Sequence, residues 1–266
     1  MGVLNEKRCN ICIIMKKYRL ALLFCFLLLF FILLYFTLSS FNTNENYNLK
    51  YHIVCARYNK DVEFLKKTGI SYSVMQKGDA DGEVPNKANE ATSFLYYIIN
   101  NYDNLPDNMI FIHDEDESWH HEGKITEKLT EWILEYEKQE KGYYEFNNKQ
   151  LNTKNFSEIN NSSLKNTFSV NEAGKNFWND CMYDDYGEFN ENLISPGSKC
   201  CAQFIVSNKT IHRHNKIFYE KIYNWLILKT NGTGVGSRED EYSGYMTGRY
   251  LEWTWNIIFL APMRTF

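Results

Sequence analysis

Hydrophobic residues are concentrated near the N-terminus and become scattered along the rest of the chain. No residue from Leu20 to Leu38 is charged, and apolar side chains would cover every face of a helix formed there. A helix of about 20 apolar residues can cross a bilayer, whereas a core helix keeps a polar face. A cleaved signal peptide is the closest alternative, but its apolar part is usually only about 7–15 residues long. The pattern therefore predicts one uncleaved transmembrane helix over residues 20–38.

Beyond residue 50 the pattern changes to short apolar runs separated by turn residues. Apolar, β-favouring runs predict strands at 52–58, 71–77, 108–114 and 200–207. Helical spacing of apolar residues predicts helices at 61–68, 90–102, 126–139, 217–229 and 248–259. The strand, helix, strand order at the start predicts one α/β domain over residues 51–266, with a mixed or mostly parallel sheet flanked by helices.

Two segments lack this periodicity. Residues 39–50 are short and polar, which is typical of a stem between a membrane and a domain. Residues 140–176 are rich in Asn, Ser and Lys, and we interpret them as a surface insertion in the domain.

Composition excludes two classes of protein. Aromatic residues make up 16% of the chain, which is too many for a disordered stalk. The net charge of -4 includes a basic N-terminus, so the domain itself is more acidic than the total. A nucleic-acid partner is therefore not expected, because it would need a basic surface.

Basic residues predict the orientation of the span. The stretch after Leu38 has no Lys or Arg before Lys50, whereas five precede the span: Lys7, Arg8, Lys16, Lys17 and Arg19. Positively charged flanks remain in the cytoplasm. We expect a type II protein of the endoplasmic reticulum or Golgi, with residues 1–19 cytoplasmic and the C-terminal domain lumenal.

Cysteines and glycosylation motifs agree with a lumenal domain without proving it. An oxidising lumen permits up to two disulfides, in any of three pairings, among Cys55, Cys181, Cys200 and Cys201. Five N-x-S/T acceptor motifs are present, at Asn155, Asn160, Asn161, Asn208 and Asn231.

The strand predicted at 108–114 is followed by a dense polar cluster. Open α/β sheets bind ligands at the carboxyl ends of buried strands, which is where this cluster lies. Asp114 and Asp116 offer hard oxygen ligands for a divalent cation. His113 and His120 can act as acid or base near neutral pH. The competing interpretation is a solvated acidic turn, since a D-x-D tripeptide is common by chance.

Three weaker signals lie elsewhere in the domain. Asn59 follows the first strand and can contact a nucleotide or simply cap the next helix. Lys77 ends the second strand and can bind an anion. Arg249 and Glu252 have the spacing of an ion pair on one helix face.

The block CCAQF at 200–204 and the pattern GRxLExxW at 248–255 resemble a widespread family classed only as a domain of unknown function. The resemblance covers residues 51–260. The family usually has Gly-Arg-Glu where this chain has Ala88-Asn89-Glu90, so Glu90 alone is retained. Its strand-end turn is commonly His-Gly-His-like, and its C-terminal Trp-His pair is Trp255-Asn256 here.

More loosely, the anchor and the strand-end acidic residues resemble type II nucleotide-sugar glycosyltransferases. This resemblance implies a glycosyltransferase-A-like fold, a nucleotide-sugar donor, a glycan or protein acceptor, and Mn²⁺ or Mg²⁺ on the donor diphosphate. It assigns the metal to Asp114 and Asp116, catalysis to Glu90, His113 and His120, and donor binding to Arg57, Asn59 and Lys77. Two alternatives stay open: a non-catalytic lumenal or surface membrane glycoprotein, and a metal-dependent hydrolase.

Overall fold

A computed structural model of the chain describes residues 23–35, 50–118, 121–146, 167–193 and 202–264. Residues 23–35 are helical and lie inside the predicted membrane span; the rest of that span, the tail and nearly all of the stem lie outside the described residues. Within the described ranges, no helix combines the length and the apolar character needed to cross a membrane. The folded domain begins at Lys50.

The domain is built on a six-stranded sheet. Its strands are β1 (Tyr51–Arg57), β2 (Ser71–Gly78), β3 (Val84–Pro85), β4 (Asn108–His113), β5 (Tyr143–Glu145) and β6 (Phe204–Ser207). They lie in the order β3-β2-β1-β4-β6-β5. The first four strands in this order pair in parallel, whereas β6 is antiparallel to both β4 and β5. The prediction of a mixed sheet is confirmed.

The α-helices of the domain with both bounds inside the described residues are α1 (Phe64–Lys67), α2 (Ala91–Asn101), α3 (Ile125–Gln139), α4 (Glu172–Phe177), α5 (Tyr183–Tyr186), α6 (Asn208–Ile211), α7 (Lys216–Lys229) and α8 (Gly244–Leu260). The prediction placed α8 four residues too late. Ser243 accepts a hydrogen bond from the Met246 backbone N–H, so this serine is the N-cap at which the helix begins.

Helices cover both faces of the sheet. Val54 and Ala56 of β1 belong to one apolar cluster with α2, α7 and α8. Ile53 and Cys55 point to the opposite face, because side chains alternate along a strand. Tyr51 lies on that second face, and its ring meets Tyr136 of α3 at 6.3 Å. Coverage on both sides explains why β1 and β4 are almost continuously apolar.

The predicted surface insertion at 140–176 is wrong at both ends. Residues 143–145 form β5, and the ring of Phe146 stacks on Trp132 of α3 at 4.6 Å. Phe168 is buried against Trp178 at 5.5 Å. Aromatic burial outweighs the polar composition of the surrounding sequence. Residues 147–166 lie outside the described residues.

Two of the four lumenal cysteine candidates are buried free thiols. Cys55 Sγ donates a hydrogen bond to the His113 carbonyl oxygen at 3.4 Å. Cys181 belongs to the cluster on the other face of the sheet. Burial raises the pKa of both thiols, which makes them unreactive packing residues. Cys200 and Cys201 lie outside the described residues.

Candidate active site

A cavity of about 370 Å³ opens at the carboxyl ends of the parallel strands. The chain goes from β1 to β2 on one side and later returns to place β4 on the other side of β1. The carboxyl ends of β1 and β4 therefore diverge at a topological switch point, where α/β proteins bind ligands. The residues that line the cavity are Ala56, Tyr58, Asn59, Lys60, Lys77, Asn86, Asn89, Glu90, His113, Asp114, Glu115, Gly234 and Val235.

Five of the predicted site residues line this one cavity: Asn59, Lys77, Glu90, His113 and Asp114. They come from four separate segments, which the parallel strands bring to the same edge of the sheet. Arg57 is not among the lining residues; its Nε donates to the Lys60 carbonyl at 2.9 Å and so supports the loop after β1. His120 lies outside the described residues.

Asp114 joins the two loops at the switch point. Its Oδ2 accepts hydrogen bonds from three successive backbone N–H groups, those of Tyr58 at 2.8 Å, Asn59 at 3.3 Å and Lys60 at 3.1 Å. Successive N–H groups of this kind form a nest that binds an anion. The carboxylate therefore fixes the loop after β1 to the end of β4.

Asp116 serves a different element. Its Oδ1 accepts from the Thr126 backbone N–H and its Oδ2 accepts from the Thr126 hydroxyl, both at 2.9 Å. A carboxylate at this position caps the first turn of α3, and its negative charge interacts favourably with the positive end of the helix dipole.

These contacts bear on the predicted metal site. Asp114 Oδ2 and both carboxylate oxygens of Asp116 accept hydrogen bonds from N–H and O–H donors, which is the bonding of a structural carboxylate. Among the described residues, no group of three His, Cys, Asp or Glu side chains is placed to hold a metal ion. The residues present do not fit a closed metal site, and the Mn²⁺ or Mg²⁺ at Asp114 and Asp116 stays a prediction.

Lys77 holds a strained turn at the base of the cavity. Its Nζ donates to the Lys87 carbonyl and to Thr92 Oγ1, both at 2.8 Å, and also to the Asn89 carbonyl. These partners use all three donors of the ammonium group. Burial lowers the pKa of Lys77 to about 7, although the nearby Glu90 acts in the opposite direction. Lys77 thus positions protein atoms rather than a ligand.

The turn itself contains two consecutive residues, Ala88 and Asn89, in the left-handed region, each with φ of 49°. This conformation costs about 1–2 kcal/mol per non-glycine residue. The turn packs against α8, where a Cβ at Gly248 would lie only 2.8 Å from Asn89 Nδ2. Strain of this kind at a cavity wall is typical of functional sites, and here it sets the position of Glu90.

Glu90 and His113 lie close together in the wall of the cavity. His113 Nε2 lies 3.7 Å from Glu90 Oε2, and Glu90 Oε1 is buried with no hydrogen-bond partner among the described residues. Burial raises the pKa of Glu90 to about 6, while Lys77 and Arg249 oppose the rise. Burial lowers the pKa of His113, and the charges of Glu252, Asp114 and Glu115 oppose this change.

Glu252 and Gln203 are site residues that the sequence analysis did not assign. Glu252 lies 3.9 Å from Arg249 Nη1, so the predicted helix-face ion pair is confirmed. Burial, and then the charge of Glu90, raise the pKa of Glu252 to about 7. Gln203 Oε1 accepts from the His113 backbone N–H at 3.2 Å. The signal for both residues was the family resemblance, since GRxLExxW includes Glu252 and CCAQF includes Gln203.

Comparison with known proteins identifies a family and no function. No curated protein and no solved structure matches the chain significantly. The family model described as protein of unknown function (DUF3431) matches residues 53–265, which include α8 and all of the sheet except the first two residues of β1. The chain therefore belongs to the DUF3431 family of proteins of unknown function.

Proposed function

We propose that the protein is a membrane-anchored glycosyltransferase-like enzyme that binds a nucleotide sugar in the cavity at the ends of β1 and β4. The observation that carries this proposal is the buried Glu90–His113 pair in a ligand-sized cavity at the switch point of an α/β sheet. Buried acid–base groups with displaced pKa values are typical of catalytic sites. The mixed sheet with helices on both faces supports the glycosyltransferase-A-like interpretation of the fold.

In the proposed reaction Glu90 is the general base. Its carboxylate takes the proton of an acceptor hydroxyl, while that oxygen forms a bond to the anomeric carbon of the sugar. The bond between this carbon and the phosphate oxygen breaks, and the nucleoside diphosphate leaves with the electron pair. A base with a pKa of about 6 suits this task at neutral pH, because it is largely ionised there and still accepts a proton.

The donor would contact the outer part of the cavity. Asn59 and Asn86 offer amide groups there, and Lys60 brings a positive charge that a diphosphate would attract. Lys60 pairs with Glu115 at 3.5 Å, and both side chains are solvent-exposed. An exposed pair of this kind exchanges partners at little cost, so the ammonium group is free to turn to a phosphate.

The membrane anchor and the lumenal orientation are part of the proposal. They rest on the uncharged run from Leu20 to Leu38 and on the basic residues that precede it. Asn231 is exposed in a loop and offers an acceptor site for a glycan. If the domain is lumenal in cells, removal of N-glycans will increase the gel mobility of the full chain, and the variant Asn231→Gln will shift less.

The catalytic proposal is tested on the full chain in detergent with a panel of nucleotide sugars, with and without Mn²⁺. We expect release of nucleoside diphosphate from one donor and a loss of about 100-fold or more in the variant Glu90→Gln. The exposed Glu239 provides the matched control Glu239→Gln, which should keep full activity.

Other outcomes would contradict the transferase. The absence of both turnover and any donor-dependent rise in melting temperature would favour a non-catalytic membrane glycoprotein. Turnover of a simple phosphoester with a transition metal, but of no nucleotide sugar, would favour a hydrolase. The variant Asp114→Asn, compared with and without Mn²⁺, decides whether a metal acts at that residue.

A further inference from the structure

Two nearly buried carboxyl groups, those of Glu90 and Glu252, come from distant parts of the chain. Glu90 precedes α2 and lines the cavity, whereas Glu252 lies on α8 and is not among the lining residues. We propose that Glu90 and Glu252 hold one proton between them, so that Glu252 is a positioning residue that sets the protonation state of Glu90. The inference rests on the proposed function only in taking Glu90 as the base.

The two carboxyl groups share their charged neighbours. Glu90 lies 3.7 Å from His113, which in its protonated form also acts on Glu252. Glu252 lies 3.9 Å from Arg249, and the charge of Arg249 also acts on Glu90. The side chains of Glu90 and Glu252 are only 12% and 10% exposed, so water screens their repulsion poorly.

The backbone segments that carry the two carboxyl groups pack against each other. Gly248 lies one turn before Glu252 on α8, and its Cα packs against the turn that precedes Glu90. Lys77 fastens the same turn through two carbonyl groups. The packing of α8 on this turn therefore holds the backbone of Glu252 near that of Glu90.

The charges around the pair do not neutralise two carboxylates. Arg249 on α8 brings one permanent positive charge. Lys77 on β2 is only partly protonated at neutral pH, because burial lowers its pKa to about 7. His113 tends to be neutral because burial lowers its pKa. Asp114 and Glu115, which follow β4, are further acidic groups. Two carboxyl groups with one permanent cation retain a proton, as in other coupled dyads.

In this proposal Glu252 carries the proton, because Glu90 lines the cavity and Glu252 does not. Burial raises the pKa of both groups, and the charge of Glu90 raises that of Glu252 further. A protonated Glu252 leaves Glu90 ionised and facing the cavity, which is the state that a general base requires. Loss of the Glu252 carboxyl should therefore make Glu90 a stronger acid and a weaker base.

The test is a ¹³C NMR titration of glutamate side-chain carboxyl groups in the full chain in detergent micelles, without donor. The wild-type protein should show two glutamates with midpoints above about pH 5.5. The variant Glu252→Gln should remove one and lower the other by about one pH unit, and Glu90→Gln should lower the Glu252 midpoint reciprocally. The variant Glu239→Gln should change neither midpoint.

Two results would overturn the inference. In the first, every glutamate of the wild-type protein titrates at an ordinary pH. This result is obtained without any variant, so it does not depend on whether the variants fold. The other is a remaining midpoint that does not move in either variant. Because this titration involves no donor, its outcome does not depend on the transferase proposal. Where a donor turns over, the acid limb of the rate profile should move to lower pH in Glu252→Gln.

Discussion

The aromatic core beneath the sheet and the crevice at its carboxyl edge are built from opposite kinds of residue. In the core, Phe204 meets the rings of Phe111, Tyr143 and Trp255 at 5.1 to 5.3 Å. In the crevice, the side chains of Glu90, His113 and Glu252 keep 10–19% of their surface exposed. Helix α8 contributes to both regions, since Trp255 follows Glu252 by one turn.

The residues of the core stabilise the fold, whereas the ionisable residues of the crevice destabilise it. Removal of aromatic surface from water favours folding. Burial of ionisable groups opposes it, as the raised pKa values of Glu90 and Glu252 demonstrate. A protein keeps such groups where its function needs them.

The largest effect is expected from the core. Phe204→Ala should lower the free energy of unfolding by about 3–5 kcal/mol, because it removes a fully buried ring and leaves a cavity. Urea unfolding followed by tryptophan fluorescence measures this change. Tyr58→Ala, at a ring that is 55% exposed, is the control and should cost less than about 1 kcal/mol. Equal losses at the two sites would contradict the packing described.

The buried carboxyl group of Glu252 in the crevice should make the free energy of unfolding depend on pH. The pKa of Glu252 rises from 4.5 to about 7 on folding, so its contribution to stability is present below pH 4.5 and is lost as pH rises through 7. Glu252→Gln should therefore reduce the fall in stability between pH 5 and pH 8 by about 2–3 kcal/mol. Denaturant unfolding at both pH values measures this, and an unchanged difference would mean that Glu252 is solvated.

Asp114 should be important for the stability of the crevice even without a ligand. Asp114→Ala leaves three backbone N–H groups without their acceptor and should cost about 1.5–3 kcal/mol. The neighbouring Glu115 makes an exposed ion pair, so Glu115→Ala is the matched control and should cost under about 1 kcal/mol. Melting temperatures of the two variants compare them directly, and similar values would contradict the structural role of Asp114.

The smallest expected effect is a gain in stability at the end of α3, outside both regions. Glu140 ends α3 with φ of 52°, which a glycine adopts without strain. Glu140→Gly should stabilise the protein by about 1 kcal/mol. Thr130→Gly, in the exposed middle of the same helix, should instead destabilise it by about 0.5 kcal/mol. Thermal unfolding distinguishes the two signs.

Much of the fold could be predicted because its signals are local. The apolar runs of β1 and β4 and the helical spacing of α3 and α7 gave their positions to within two residues. The strand β5 was missed because three residues in a polar region carry too short a pattern, and Phe146 is identified as core only by its contact with Trp132.

The candidate site was predictable only in part. Asp114 and Asp116 were paired because they are close in sequence, yet one binds the loop after β1 and the other caps α3. Glu252 was seen only as the partner of Arg249, since no local pattern relates it to Glu90. Lys77 was expected to bind a ligand, but its donors hold the turn before Glu90.

The sequence by itself determined the positions of the long strands and helices, the family, and the strand ends at which polar residues gather. These properties depend on side-chain periodicity and on neighbours along the chain. Only the tertiary structure decided that Glu90 and His113 line one cavity and that α8 brings Glu252 close to the turn before Glu90. That outcome depends on how α8 packs against a strained turn, and on the low polarity that results, because pKa values respond to burial and to charges brought together by the fold.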